Sequence, residues 1–512
     1  MRTDNARGPI LQSIKRYSGV TSGHAQTTGH VRTINRSRRA SVMCDRTLKR
    51  SQIATIVGSI AIGLAAGQAW GAGFQLNETS ASGLGNAFAG GAAEAQDAST
   101  VWSNPAGMSK LTSPQVAAVV NLITPSFKLE NSGSQPAFLQ PLGNSGGDSG
   151  SLNVVPNMYA VMPINHDWAV GLGINTPFGL VTDWGNGWIG RYQALKSDVK
   201  TINVNPSLSW RVNDALAIGV GIDWQRIDAE FTSNVNYSGA LMQAAGQAAA
   251  GGLIPPSLLP TIASLVPGLN TFSRVKGNDS AWGWNIGVLW DATPQTRIGA
   301  QYRSSLKYHI EGNVSFDNPA LPAAPPPLAP VIGGLGAAVN GVLMNGGVTA
   351  DIKVPDIANV SVFHKLNDQW DLMADAQFTH WSVFQNLTFV RTTGAVLAST
   401  PENFRDTWKL AAGATYHYND AWSFRGGAAW DQSPVNTTDR TARLPDGDRT
   451  WLTVGTQYKV NRNLALDAGF SYVWVSSGDT NQNAGSTAAN GLIAGHYNGN
   501  ATVVSGQLTY TF

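Results

Sequence analysis

The chain has 512 residues, of which 13% are charged, with 56 Gly, 17 Trp and a single Cys. Soluble domains carry about 25% charged residues, and a multi-helix membrane protein needs repeated apolar runs of about 20 residues. So few charges at a mean hydropathy of only −0.10 fit neither class, and the composition also excludes a collagen-like chain, a disulfide scaffold and a charge-rich disordered protein.

Charge is divided unevenly. Residues 1–71 carry eleven basic and two acidic side chains, and the other 441 residues carry 23 basic and 30 acidic. The leader is therefore +9 and the remainder −7, so the basic excess of the whole chain lies in the leader, which argues against a nucleic-acid partner. Arg46, Lys49 and Arg50 precede an uncharged run over residues 51–66, with small residues at Ala69 and Gly71. This predicts a secretory signal peptide over 43–71, cleaved after Gly71. The run is too short for a membrane anchor, and Gly58, Gly63 and Gly67 weaken it. Residues 1–42 read as an extended or non-native leader before Met43. Cys44 lies upstream of the cleavage point, so the mature chain has no thiol for disulfide or metal chemistry.

Residues 72–110 are rich in Gly, Ala and Ser and carry Glu78, Glu94 and Asp97. They predict a periplasmic tail or a plug inside a lumen, not a lipid-facing strand. From residue 111 onward a short polar turn repeatedly precedes an alternating strand. Turns at residues 165–167, 213–214, 291–295, 367–368, 419–420 and 461–463 each join two strands. One strand precedes the first long loop and one ends the chain, giving fourteen. The alternation sets apolar residues against charges such as Asp371, Asp375, Arg425 and Asp467. Trp recurs at strand ends (Trp168, Trp224, Trp290, Trp370, Trp422, Trp430, Trp474) as an interfacial girdle requires. The expected fold is all-β: a 14-stranded antiparallel transmembrane barrel over 111–512, with short turns on the periplasmic side and an N-terminal hatch in the lumen. The terminal Phe512 resembles the signal that hands such chains to the barrel assembly machinery.

Two long connections, at about 231–278 and 317–350, contain uncharged stretches over 231–273 and 318–350. Pro and Gly interrupt both, so neither is a membrane helix. Short helices could cover one another's apolar faces, or the surface could capture an apolar ligand. The capture candidates are Leu241, Leu253, Ile254, Leu258, Leu259, Ile262, Leu265, Leu335, Val339, Val342 and Leu343.

The chain resembles the FadL family of outer-membrane transporters of long-chain fatty acids and other hydrophobic compounds. The resemblance is carried by Ala72-Gly73-Phe74-Gln75-Leu76-Asn77-Glu78, Asn104-Pro105-Ala106, Tyr302-Arg303-Ser304, His380-Trp381-Ser382 and Pro445-Asp446-Gly447-Asp448-Arg449, and spans the mature chain. It implies a hatch that includes Phe74, Asn77, Asn104, Pro105 and Ala106, with Asn104-Pro105-Ala106 facing a lateral opening. It implies that this opening is a kink in the third strand, here at Asn175, Pro177, Phe178 and Gly179. Pro177 lacks a ladder donor and Gly179 tolerates a bulge, which makes an interruption physically reasonable. A cation for a carboxylate headgroup is expected among Arg226, Arg274, Lys276 and Arg391.

The resulting expectation is passive transport across the Gram-negative outer membrane by a monomer in contact with outer-membrane lipid. The ligand is a long-chain fatty acid or another hydrophobic small molecule, with aromatic hydrocarbons left open. A polar-solute porin or an outer-membrane lipase is the competing class. The six His after residue 71 stand in no nucleophile motif, and no phosphate loop or metal cluster is apparent. The sequence thus calls for no enzyme activity, cofactor or metal.

Overall fold

A computed structural model of the chain describes residues 72–483 and 485–512. The leader and signal readings lie outside the described residues. The alternating segments form fourteen antiparallel strands. These are β1 (Gln115–Asn131), β2 (Asn153–Pro163), β3 (Trp168–Asn175 and Gly179–Asp183), β4 (Lys196–Arg211), β5 (Leu216–Asn236), β6 (Asn270–Asp291) and β7 (Thr296–Arg303 and Leu306–Asp317). There follow β8 (Gly346–Val354 and Ile357–Lys365), β9 (Trp370–Thr379 and Asn386–Arg391), β10 (Val396–Pro401 and Thr407–His417), β11 (Trp422–Asp431), β12 (Arg449–Lys459), β13 (Leu464–Gln482) and β14 (Ile493–Thr511).

Each strand pairs with its neighbours in sequence. β1 closes on β14 through seventeen residue pairs, from Gln115↔Thr511 to Asn131↔Gly495. Closure leaves no lipid-facing edge. The short turns share one chemistry: the side chains of Asn165, Asn213, Asn367, Asn419 and Asn461 each accept the amide three residues on. Asn does this because its carbonyl mimics a backbone acceptor within a tight turn. The outer face carries Trp168, Trp210, Trp284, Trp290, Trp370, Trp422, Trp430 and Trp474, all exposed. Arg425 and Asp467 point inward and form a buried ion pair at 2.7 Å.

Residues 72–110 lie against inward-facing strand residues. They contain short helices α1 (Ala81–Gly85) and α2 (Thr100–Ser103) and a 3-10 turn at Pro105–Lys110. Asn121 of β1 and Asn157 of β2 both donate to the Glu78 carbonyl. Thr453 of β12 donates to the Gly85 carbonyl. Asn104 donates to the Val288 carbonyl of β6 at 2.9 Å. Close approach there depends on missing side chains, since a Cβ on Gly219 would overlap the Pro105–Ala106 backbone and one on Gly287 would overlap the Asn104 amide.

The long connections are shorter than the sequence suggested. β5 runs on to Asn236 and β6 begins at Asn270, while β7 ends at Asp317 and β8 begins at Gly346. Their uncharged residues form α3 (Tyr237–Ala250), α4 (Leu259–Leu265) and α5 (Ala329–Val342).

Overpacking costs about 1–3 kcal/mol even in tolerant cores, and Gly219 and Gly287 contact the inner segment, not a neighbouring strand side chain. The double variant Gly219→Val, Gly287→Val should still give a heat-modifiable barrel but expel residues 104–106 from their seat. Planar-bilayer recording should then show a higher ion conductance than wild type; equal conductance would exclude this packing.

Candidate functional site

The wall is interrupted in β3. The β2–β3 ladder ends at Met158↔Ile174, whereas β3 remains paired to β4 up to Asn175↔Asn203 and again from Gly179↔Lys200. Three residues of β3, Thr176, Pro177 and Phe178, oppose two on β4, a bulge that swings the outer half of β3 away from β2. Pro177 removes one donor at that point. The rest of the edge finds other partners: the Thr176 amide donates to Asn157 Oδ1 and the Phe178 amide to Thr201 Oγ1.

The place vacated by β2 is taken from inside by the first described residues. The Leu76 amide donates to the Pro177 carbonyl, and the Gly179 amide donates to the Phe74 carbonyl, both at 2.8 Å. Gln75 and Phe178 form an isolated antiparallel bridge. Asn104, Pro105 and Ala106 do not face this break. They pack on β4, β5 and β6, where Ser209 donates to the Ala106 carbonyl and the glycines of β5 and β6 admit them. Asn77 lines a separate polar cavity with Lys409 and Arg303.

Phe74 fills an aromatic box. Its ring centre lies 4.7 Å from Trp381, 5.8 Å from Phe384 and 5.9 Å from Phe178. Gly73 precedes it at φ +66, a left-handed conformation natural to glycine. The Gly73 amide donates to Asp446, whose carboxylate also pairs with Arg449 at 2.6 Å. Two stretches of the family resemblance, more than 370 positions apart, thus meet in one contact.

Beside Phe74 lies an apolar cavity of about 40 Å³, lined by Leu180, Val199, Ile227, Phe231, Ile352, Leu387 and Leu444. It has room for a few water-sized groups and not for an acyl chain. Phe231 and Ile352 also line a second apolar void towards the long loops, with Val275, Ile310 and Val348. The polar groups of the first cavity are Arg443, in the connection before β12, and Glu402, in the break of β10. The Arg443 guanidinium lies 5.3 Å from the Phe231 ring centre and donates weakly to Ser197 Oγ at 3.4 Å. Burial lowers Arg443 to about 10, which leaves it charged at neutral pH. Burial raises the Glu402 carboxyl to about 8, against the pull of Arg443.

The four cations nominated from the sequence lie elsewhere. Arg226 pairs with Asp228 and Arg274 with Glu230, on the outward face of β5 and β6, and Lys276, exposed beside them, contributes to the lining of the second void. Arg391 donates to the Met344 and Val342 carbonyls outside the cavity. The alternation held the signal: Arg226 shares its face with Ile222 and Trp224, which face outward. Arg443 and Glu402 carried no such signal, because both lie between strands.

The capture candidates divide. Leu241, Ile262, Leu335 and Val339 are buried among α3, α4 and α5, and Ile254, Leu258, Leu259, Leu265 and Leu343 pack partly against them. The loop helices therefore cover one another's apolar faces. Leu253 and Val342 remain open, at 82% and 71% exposure.

A closed antiparallel barrel with an aromatic outer belt and polar inward contacts has the architecture of an outer-membrane barrel protein. The chain belongs to the outer membrane transport protein family OMPP1/FadL/TodX, whose model matches residues 62–512. It is 33% identical over 432 residues to the long-chain fatty acid transport protein of Escherichia coli (strain K12), covering 81% of this chain and 90% of that one. It is 31% identical to the 47 kDa outer membrane protein of Pasteurella multocida, covering 83% and 92%. Among solved structures, a Pseudomonas aeruginosa FadL homologue superposes with a TM-score of 0.75 at 28% identity, covering 86% and 100%. The Pseudomonas putida toluene transporter TodX shares the fold, with a TM-score of 0.58 at 16% identity and coverage of 81% and 94%. The protein is an outer-membrane transport protein of a Gram-negative bacterium.

Glu402 binds its proton more tightly folded than unfolded, where the carboxyl titrates near 4.5. Its contribution to stability is therefore full below pH 4.5 and is lost as pH rises through about 8. Melting temperature in detergent should fall over this window for the wild type and fall less for Glu402→Gln; parallel curves would exclude a buried, protonated Glu402.

Proposed function

We propose that the protein carries long-chain fatty acids passively from the cell exterior into the outer membrane. The open apolar residues Leu253 and Val342 collect the acyl chain at the long-loop end, which faces outward, with the short turns in the periplasm. The chain then enters the apolar lumen, with its carboxylate at Arg443 and its methylenes along Phe231, Ile352 and Leu180. Each buried CH₂ stabilises the complex by about 0.8 kcal/mol. Entry requires Phe74 to leave its aromatic box, which also withdraws the Phe74 and Leu76 bonds from the β3 edge. The break between β2 and β3 then opens beside the hatch formed by residues 72–110. A ligand leaving sideways never re-exposes its alkyl chain to water. Phe512 serves as the assembly signal, and the barrel acts as a monomer.

The observation that carries this reading is a cation at the edge of an apolar cavity whose other wall is the side chain sealing the β3 break. The likeness to the long-chain fatty acid transport protein of Escherichia coli supports it. The aromatic box favours one second reading, uptake of aromatic hydrocarbons, because a single ring already fills it as Phe74.

Arg443→Gln separates the two. Oleate affinity should fall at least tenfold while toluene uptake stays at the wild-type rate; unchanged oleate affinity would overturn the headgroup assignment. Leu253→Asp with Val342→Asp changes only exposed positions, where stability effects stay within about 0.5 kcal/mol. This pair should cut oleate uptake several-fold at low concentration and little at saturation, measured with radiolabelled ligand in cells.

A further inference from the structure

Besides the break in β3 and the ladder breaks on either side of β9, the wall is interrupted between β6 and β7. Their ladder runs from Asp291↔Arg297 to Asn285↔Arg303 and resumes from Asn278↔Glu311 to Phe272↔Asp317. Residues 279–284 of β6 and 304–310 of β7 share no ladder among the described residues. Each flank is held on its far side, β6 by β5 and the outer half of β7 by β8. The gap is therefore a seam between two well-paired halves, about 20 Å long at 3.3 Å per residue.

Side chains clasp both ends of the seam. At the lower end the Ser304 amide donates to the Trp284 carbonyl and Ser304 Oγ accepts the Trp284 amide, each at 2.9 Å. At the upper end Asp279 Oδ2 accepts the His309 amide at 2.6 Å. Between the clasps the inner side carries Ala281, Leu306 and Tyr308, which belong to the apolar cluster around Phe74. The outer side presents Trp282 at 71% exposure. With a strand tilt of about 40°, the seam lies about 15–28 Å above Trp290, at the outer-leaflet level of a hydrocarbon band about 25 Å tall.

Unpaired backbone facing lipid is costly, and barrels avoid it. Here it is kept where one layer of side chains separates the outer leaflet from the apolar lumen. We propose that the β6–β7 seam is a lateral entry portal, through which the acyl chain of a long-chain fatty acid already dissolved in the outer leaflet reaches the lumen. Ligand in water enters by the loops, and both routes meet at the cavity beside Phe74. The portal rests on the fatty-acid reading given above but is independent of the β2–β3 exit.

A Cβ on Gly283 would lie 2.8 Å from Ser304 Oγ, which must shift, and 3.1 Å from the Leu306 side chain, so cysteines at positions 283 and 306 lie opposite each other across the seam. In outer-membrane vesicles, oxidised Gly283→Cys, Leu306→Cys protein should transfer oleate preloaded in the membrane at least fivefold more slowly than its reduced form. Dithiothreitol should restore the rate, and transfer of oleate added in water should not change. Equal rates for preloaded oleate, locked and reduced, would overturn the portal. Should the disulfide not form, a fatty acid with a tail diazirine provides a second measurement on the wild type. Membrane-borne probe should crosslink to residues 281–284 and 304–308, and absence of such adducts would overturn the portal equally. Gly179→Arg tests the exit separately: wild-type transfer from water would sink the β2–β3 route and leave the seam standing.

Discussion

A backbone amide or carbonyl in lipid must find a partner within the protein, and this constraint organises the whole molecule. It closes β1 on β14 over seventeen residue pairs. It also dictates what happens where the wall is interrupted. At β3 the missing β2 ladder is replaced by two bonds from Phe74 and Leu76 and by the side chains of Asn157 and Thr201. The residue that fills the aromatic box and the residues that complete the wall belong to one tripeptide, Phe74-Gln75-Leu76, so displacing it changes both together.

The lumen has two storeys of different chemistry. Towards the short turns it is polar, with ion pairs Arg425–Asp467 and Arg303–Asp223, and the N-terminal segment occupies it. Towards the long loops the inward residues include Phe231, Ile310, Val348, Ile352 and Phe389. A buried ion pair is costly to separate, so Asp446–Arg449, which holds the Gly73 amide, anchors the chain beside Phe74 while the apolar side chains around the ring exchange neighbours without losing hydrogen bonds.

Much of this was legible in the sequence, because a barrel is local in its rules. Period-two alternation identifies strands one at a time, and an Asn whose side chain accepts an amide three residues on marks a turn without help from the rest of the chain. The break in β3 was expected from the family resemblance, and Pro177, which lacks a ladder donor, only made it physically reasonable. Pro355 interrupts β8 in the same way. Arg443 and Glu402 were out of reach, because they meet only when the connection before β12 folds back over the break in β10. The seat of Asn104 was illegible too: it depends on Gly219 and Gly287, and strand glycines are too common here to single out two.

The inner segment is bonded on both sides of the closing seam. It holds β1 and β2 through the Glu78 carbonyl, and β14 through the Ala81 amide on Gln507. It also holds β12 at Gly85, β8 at Ala92 and β6 at Asn104. Each of these bonds needs both its strand and the inner segment in place, so the segment ties strands from opposite sides of the closure together across the lumen, and the circumference of the wall is fixed from inside as well as by its own ladder.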